Sequence, residues 1–317
     1  MASEGRYTIT TNYDGAGNIA QRAVDMLRRR IHPFDSPCPF PDAIVPEEFS
    51  PGSLEHARFL FYACNFDSGI KAEAAYAAAR QMVKTTDLAD LHRLSKPDLI
   101  KLLLPSLKGI SRDPGAARVD LTEVIYTNSR KLYAEFGNDP RGIYVPGENH
   151  VWDTLKGIMN GKKGTAEKFS QYGHGKAALL LKNFTRFGIW PFEHHEIPIK
   201  VDRHLLRISV GSNVIQVIDS RPPADGRIRI DVAERPLMRL YHRITSQEGI
   251  SAVDLNDAFW LIGSRVCTEN DYVTCCTSCR IHCETRPKFN ERLTWYYPNT
   301  DMRKNRNHQI LPMFWMP

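Results

Sequence analysis

The sequence predicts a mainly α-helical protein of one large or two modest domains. Three observations carry that expectation. From Ser53 onward, short segments with apolar residues at helical spacing follow one another, separated by polar breaks. β-like alternation is brief, at Arg227-Ile228-Arg229-Ile230. The chain has 317 residues, 42% hydrophobic and 25% charged, which suffices for one large or two modest domains with real cores.

The first expected helix covers residues 19–31 (IAQRAVDMLRRRI), within an N-terminal segment of residues 1–51. Arg28, Arg29 and Arg30 near its end suit the negative end of a helix dipole or, equally, a DNA phosphate. Asp14-Gly15-Ala16-Gly17 reads as a turn, and no glycine fingerprint of a nucleotide site is completed there. Residues 33–51 hold six prolines and read as a linker or a wrapped irregular segment. A buried helix is expected over residues 54–64, broken by Asn65-Phe66-Asp67-Ser68. Further helices are expected over residues 70–83, 86–94, 96–107, 119–136 and 151–159. Gly137-Asn138-Asp139-Pro140 stops the one that ends at Phe136.

Gly173-His174-Gly175 is a tight turn opening directly into a helix. Ala177, Ala178, Leu179, Leu180 and Leu181 are strong helix formers, and the helix should end near Gly188. The two glycines allow positive φ and the close approach of a backbone or a phosphate. A helix N-terminus offers unpaired N–H groups and partial positive charge, so it suits an anion. After a loop, Val201-Asp202-Arg203-His204 sets one acid among apolar residues where a second helix should begin. Capping that helix is one role for Asp202, and a cap fixes a carboxylate in a way that chemistry can use. Residues 212–235 allow a small β-hairpin, and residues 254–266 a last helix. In residues 287–317, Trp295, Tyr296, Tyr297, Phe314 and Trp315 lie among Arg292, Arg303, Lys304 and Arg306. Such a tail either packs back on its own domain or stacks on bases.

Seven cysteines are present, and five of them fall between Cys267 and Cys283. That clustering does not suit a secreted disulfide framework, which spreads its cysteines. Cys267, Cys276, Cys279 and Cys283 give C-x8-C-x2-C-x3-C, with Cys275 competing for the second position. Four thiolates in one loop can hold a [4Fe–4S] cluster. Zinc is the rival, although its sites more often pair two C-x2-C turns across a longer gap. The net charge of +6 and pI near 8.9 permit a polyanionic partner without requiring one. The N-terminus lacks a basic-then-apolar signal pattern, and no run approaches the ~18 apolar residues of a membrane span. The expectation is an intracellular protein in a reducing compartment, with no membrane partner.

The glycine hairpin, the Val201-Asp202-Arg203-His204 segment and the Trp260-Leu261-Ile262 run leading to the cysteines occur in that order. Together they resemble the helix-hairpin-helix DNA glycosylases of the endonuclease III superfamily, in its iron–sulfur branch. The likeness covers roughly residues 53–285. It implies a two-domain helix-hairpin-helix glycosylase fold, a helical barrel domain plus a cluster domain. Residues 1–51 would be an extension packing on the cluster domain. Residues 52–188 would be the helical domain ending in the hairpin, 189–286 the catalytic-aspartate and cluster domain, and 287–317 a tail. The implied activity is base excision: a damaged or modified base is flipped out of the duplex and its N-glycosidic bond hydrolysed.

By the same resemblance, Asp202 is the catalytic carboxylate, stabilising positive charge that develops on the sugar. The backbone of Gly173, His174 and Gly175, with the charge of Lys176, would hold a phosphate. Asn65 would wedge into the duplex gap, or else belong to a simple helix-breaking turn. Phe61 and Tyr62 would stack on the flipped base, or else pack the core. No acid lies between Glu55 and Asp67, so adenine specificity is not expected. Family members with lyase activity carry a lysine two residues after the second hairpin glycine; that position here is Ala177, which implies a monofunctional enzyme. The family's cysteine spacing is nearer C-x6-C-x2-C-x5-C, so this loop departs on both sides; the resemblance nevertheless favours iron–sulfur over zinc. The implied partner is double-stranded DNA, the implied state a monomer, and the implied location the nucleoid or nucleus. The alternatives are a bifunctional glycosylase/lyase, a non-catalytic iron–sulfur DNA-binding protein, and a metal or redox module unrelated to DNA.

Overall fold

A computed structural model describes residues 7–36, 40–67, 72–107, 114–161, 168–212, 214–219, 227–229, 231–266, 293–296 and 311–313. The protein is mainly α-helical. In chain order its elements are β1 (Tyr7–Thr11), α1 (Tyr13–Arg28), α2 (Leu54–Phe66), α3 (Ala72–Val83), α4 (Lys96–Leu107), α5 (Pro114–Phe136), α6 (His150–Asn160), α7 (His174–Arg186), α8 (Arg203–Gly211), β2 (Ile215–Asp219), β3 (Arg227–Arg229), α9 (Asp231–Glu248), α10 (Ala252–Arg265), β4 (Leu293–Tyr296) and β5 (Leu311–Met313). Short 3-10 turns lie at Pro41–Ala43, Leu91–Arg93 and Pro140–Ile143. The chain divides into two compact units, one of Pro39–Ile197 and one of Met1–Cys38 with Pro198–Pro317.

The unit Pro39–Ile197 is built around α2. Phe59, Leu60, Phe61, Tyr62, Ala63, Cys64 and Phe66 are all buried, so α2 is apolar on every side and must be surrounded. It packs on α3, α5 and α7, while α4 lies between α3 and α5 and α6 packs on α7. Ser53 starts α2 by accepting a bond from the His56 amide at 3.1 Å. In the other unit, α1 packs on α9 and α10, and α8 on α10. β1 and β2 pair antiparallel, from Tyr7 opposite Asp219 to Thr11 opposite Ile215, and this ribbon lies against α9. β3 runs parallel to β4, which is antiparallel to β5.

Several local expectations change. The Asp14–Gly17 stretch is not a turn but the start of α1, because the Asn12 side chain caps the Gly15 amide at 2.9 Å. Gly17 belongs there for a packing reason: a Cβ would sit 2.9 Å from Glu248 Oε1 of α9. Residues 86–94 do not form the expected α-helix. The Asp87 carboxylate takes the Ala89 amide at 2.8 Å, a turn that competes with helix, and only Leu91–Arg93 coils. The 212–235 segment does not close on itself as a hairpin, since β2 pairs with β1 and β3 with β4. Helix α9, which the sequence reading did not anticipate, fills the stretch that follows.

Candidate functional site

The turn at Gly173 and the helix it opens, α7, belong to the unit Pro39–Ile197. Residues 168–173 form an irregular turn whose left-handed residue is Gln171, at φ 59°. Gly173 is extended at φ −84°, and neither it nor Gly175 takes positive φ, so the expected conformational role of these glycines is not the one they play. A Cβ on Gly173 would meet nothing within 4 Å, so the surface beside it is open to an incoming group. Helix α7 begins at His174 with no side-chain cap, and its first intrahelical bond runs from the Ala177 amide to the Gly173 carbonyl at 3.0 Å.

One buried asparagine holds the turn. Asn128 of α5 accepts the Ser170 amide at 2.6 Å and donates to the Ser170 carbonyl at 3.0 Å and to Asn65 Oδ1 at 2.9 Å. Tyr172 Oη donates to the Phe61 carbonyl at 2.6 Å, and its ring stacks on Phe61 with centroids 5.3 Å apart. Burial of the Tyr172 hydroxyl pushes its pKa well above the ordinary tyrosine value, so it stays a donor. Lys176 Nζ reaches back to the Asn65 carbonyl and to Gln171 Oε1, each at 3.4 Å. The structure therefore brings Phe61, Asn65, Gly173, His174, Gly175 and Lys176 into one region, but changes the parts that Asn65 and Phe61 play. Asn65 is inside α2 and 1% exposed; its amide is spent on Asn128 and the Phe61 carbonyl, so it is a core residue and not a wedge. Phe61 and Tyr62 are 0% exposed and pack the floor beneath the turn, with Tyr62 Oη donating to Asn138 Oδ1 at 3.3 Å, so they do not line an open pocket.

Helix α7 is anchored from below by ions. Asp42, in the proline-rich segment, lies 2.6 Å from Lys182 Nζ and 3.2 Å from Arg186 Nη1. All three side chains are nearly or fully shielded from solvent. Burial alone would push the Asp42 carboxyl up, but Lys182 and Arg186 hold it well below the usual carboxylate range. Residues 40–51 are thus not a free linker. They wrap the unit and neutralise the underside of the hairpin helix.

Asp202 lies in the other unit. Its Oδ1 accepts the amides of His204 at 2.8 Å and Leu205 at 3.1 Å, capping α8. Its Oδ2 accepts no hydrogen bond from the described residues. Burial tends to raise the carboxyl's pKa, but His204, Lys200 and the two amides outweigh burial and leave it below the ordinary aspartate value. Asp202 is therefore ionised at neutral pH. Helix α10 fixes the segment on both sides. Asn256 Oδ1 accepts the Lys200 amide at 3.0 Å. Gly263 lies against the start of α8, where a Cβ would come within 2.4 Å of His204 Cβ and 2.9 Å of His204 Cα. Gly263→Ala must push α8 off α10. The expected cost is about 1–3 kcal/mol, read as a lowered thermal midpoint; an unchanged midpoint would show that the contact is not tight.

The residues that the sequence reading overlooked are Asp42, Asn128, Asn256 and Gly263. Asn128 carried a signal: it is a polar residue on the apolar stripe of Val124, Ile125 and Leu132. Cys267, Cys275, Cys276, Cys279 and Cys283 lie outside the described residues. Among the described residues, no group of three or more His, Cys, Asp or Glu is placed to hold a metal ion. No helix among them is long and apolar enough to cross a membrane. The sequence matches no protein-family model and no curated protein.

Proposed function

We propose that this protein is a DNA glycosylase, hydrolysing the N-glycosidic bond of a damaged or modified base flipped from double-stranded DNA. The observation that carries the reading is Asp202: an ionised carboxylate, clamped through one oxygen by two backbone amides, whose other oxygen accepts no hydrogen bond from the described residues. Cleavage of the base–sugar bond develops positive charge on the sugar, and a rigid carboxylate stabilises it without reorganising. The order hairpin, capped aspartate, cysteine stretch supports the same reading, as does the packing of α6 on α7 around the hairpin. The open surface at Gly173 and the uncapped start of α7 suit a DNA phosphate.

Cys267, Cys276, Cys279 and Cys283 are proposed to hold a [4Fe–4S] cluster, which supplies a structural brace when bound. The donor set, four thiolates in one short stretch, fits such a cluster. Helix α10, held by α1 and α8, ends at Arg265, two residues before the first of them. Protein purified without oxygen should be brown and carry about four irons per chain. Stoichiometric zinc in colourless protein would replace iron–sulfur with a zinc site.

The test of the activity is incubation of the protein with duplexes that each carry one damaged or modified base. The expected product is an abasic site on an unbroken strand, with no covalent adduct after borohydride, because Ala177 stands where a lyase would need an amine. Lys176 Nζ, one residue earlier, is directed to the Asn65 carbonyl and Gln171. An adduct abolished by Lys176→Ala or Lys200→Ala would make the enzyme bifunctional. One observation favours a second reading. Asp202 is a complete helix cap as it stands, so a non-catalytic iron–sulfur DNA-binding protein would keep it for α8 alone. Duplex binding with no abasic product across the panel would establish that reading.

A further inference from the structure

We infer that the outer face of α9 is a second nucleic-acid surface, on which Arg235, Arg239 and Arg243 contact phosphates of a duplex. The inference takes the kind of nucleic acid from the function proposed above and locates a contact surface which that reading does not contain. Helix α9 buries Ala233, Leu237, Met238, Leu240, Tyr241 and Ile244 against its own unit. Arg235, Arg239 and Arg243 are exposed and recur every fourth residue, so they line one face at intervals of roughly 6 Å. The acids Glu234 and Glu248 fall on a different side of the helix at 100° per residue, while Asp231, its first residue, lies one turn before Arg235.

Among the described residues, the charges of this row meet no carboxylate, whereas several other surface arginines do. Arg28 pairs with Asp254, Arg29 with Asp25, Arg93 with Asp90 and Arg141 with Asp139. Arg235 and Arg239 make no ion pair or hydrogen bond with the described residues. Arg243 is positioned only by neutral groups: its Nε donates to Gln247 Oε1 at 3.2 Å and its guanidinium lies 4.9 Å from the centre of the Tyr13 ring. Gln247 is itself held by Tyr13 Oη at 2.8 Å. Like charges four apart disfavour a helix, and an external polyanion would offset that repulsion.

Phosphate is the anion that this row fits best. The guanidinium fork pairs two N–H groups with two phosphate oxygens. A duplex presents a charge about every 1.7 Å along its axis, so a row about 12 Å long spans several. An acidic protein surface would be expected to find an apolar anchor as well. The exposed large hydrophobic residues, Leu104, Tyr133, Val145 and Ile218, include none on α9.

The test uses the full chain, an undamaged 20-base-pair duplex (a length of roughly two helical turns) and a series of salt concentrations. The wild type should bind, with log K falling linearly in log salt. The triple variant R235Q/R239Q/R243Q keeps good helix formers and should flatten that slope by roughly 2–3, at about 0.9 per lost phosphate contact. If the triple variant loses helix content, Arg239→Gln alone should flatten it by about 1. An unchanged slope in a folded variant overturns the inference and leaves the glycosylase reading standing. No duplex binding by the wild type at low salt overturns both. Loss of binding to polyglutamate, with the DNA slope unchanged, overturns it in favour of an acidic protein partner.

Discussion

Asp202→Asn should lose base excision by about 10²–10³-fold, corresponding to about 2.7–4 kcal/mol of transition-state stabilisation, while keeping its fold and its affinity for duplex DNA. The fold survives because an amide oxygen can still accept the His204 and Leu205 amides that Oδ1 accepts now. Binding survives because the carboxylate is not among the groups proposed to hold phosphate. What disappears is the negative charge proposed to stabilise the sugar. Single-turnover excision on the best substrate of the panel is the measurement, since it isolates the chemical step. Undiminished excision would reduce Asp202 to a helix cap. The pH profile adds a check. Asp202 titrates below its ordinary value, so its stabilising charge should persist as pH falls from neutrality to about 4 and vanish only below that. A rate already falling at pH 6 would point to a different group.

The largest effect on stability is expected from Asp42→Ala, at about 3–5 kcal/mol. The substitution removes the carboxylate that both Lys182 and Arg186 meet, at a place where all three side chains are largely shielded from water. Its cost therefore exceeds that of any surface ion pair in the chain, which is worth about 0–1 kcal/mol. Chemical denaturation read by circular dichroism would measure it. A loss below about 1 kcal/mol would mean that water reaches the triad. The sign of the pH dependence follows from the same geometry. The folded-state pKa of Asp42 lies below its unfolded value, so its contribution is present above about pH 4 and is lost as pH falls through the folded value. Because the triad sits under α7, the variant should also loosen the hairpin helix.

Much of the helical framework was legible from periodicity and punctuation. The expected helix over residues 96–107 coincides with α4, and that over 151–159 lies within α6. Gly188 ends the hairpin helix, at φ 63° and one residue after its cap. Such signals are local: an apolar stripe, a capping side chain or a left-handed glycine acts within a few residues of itself. Asp202 was legible for the same reason, since its cap closes on amides two and three residues away.

Residues whose partners are distant in sequence could not be read that way. Asn65 looks like a helix breaker until Asn128, 63 positions later, supplies the bond that buries it inside α2. Asp42 looks like part of a proline-rich linker until Lys182 and Arg186 close on it from α7. Gly263 looks like an ordinary helical glycine until His204 comes to lie against it. The sequence by itself determined the helical class, the start and end of the helix that follows Gly173, and the capped carboxylate, because those follow from propensity and short-range hydrogen bonding. Only the tertiary structure decided which polar residues are buried. The cost of burying a charge or an amide depends on the partner that meets it, and that partner is chosen by packing between elements far apart along the chain.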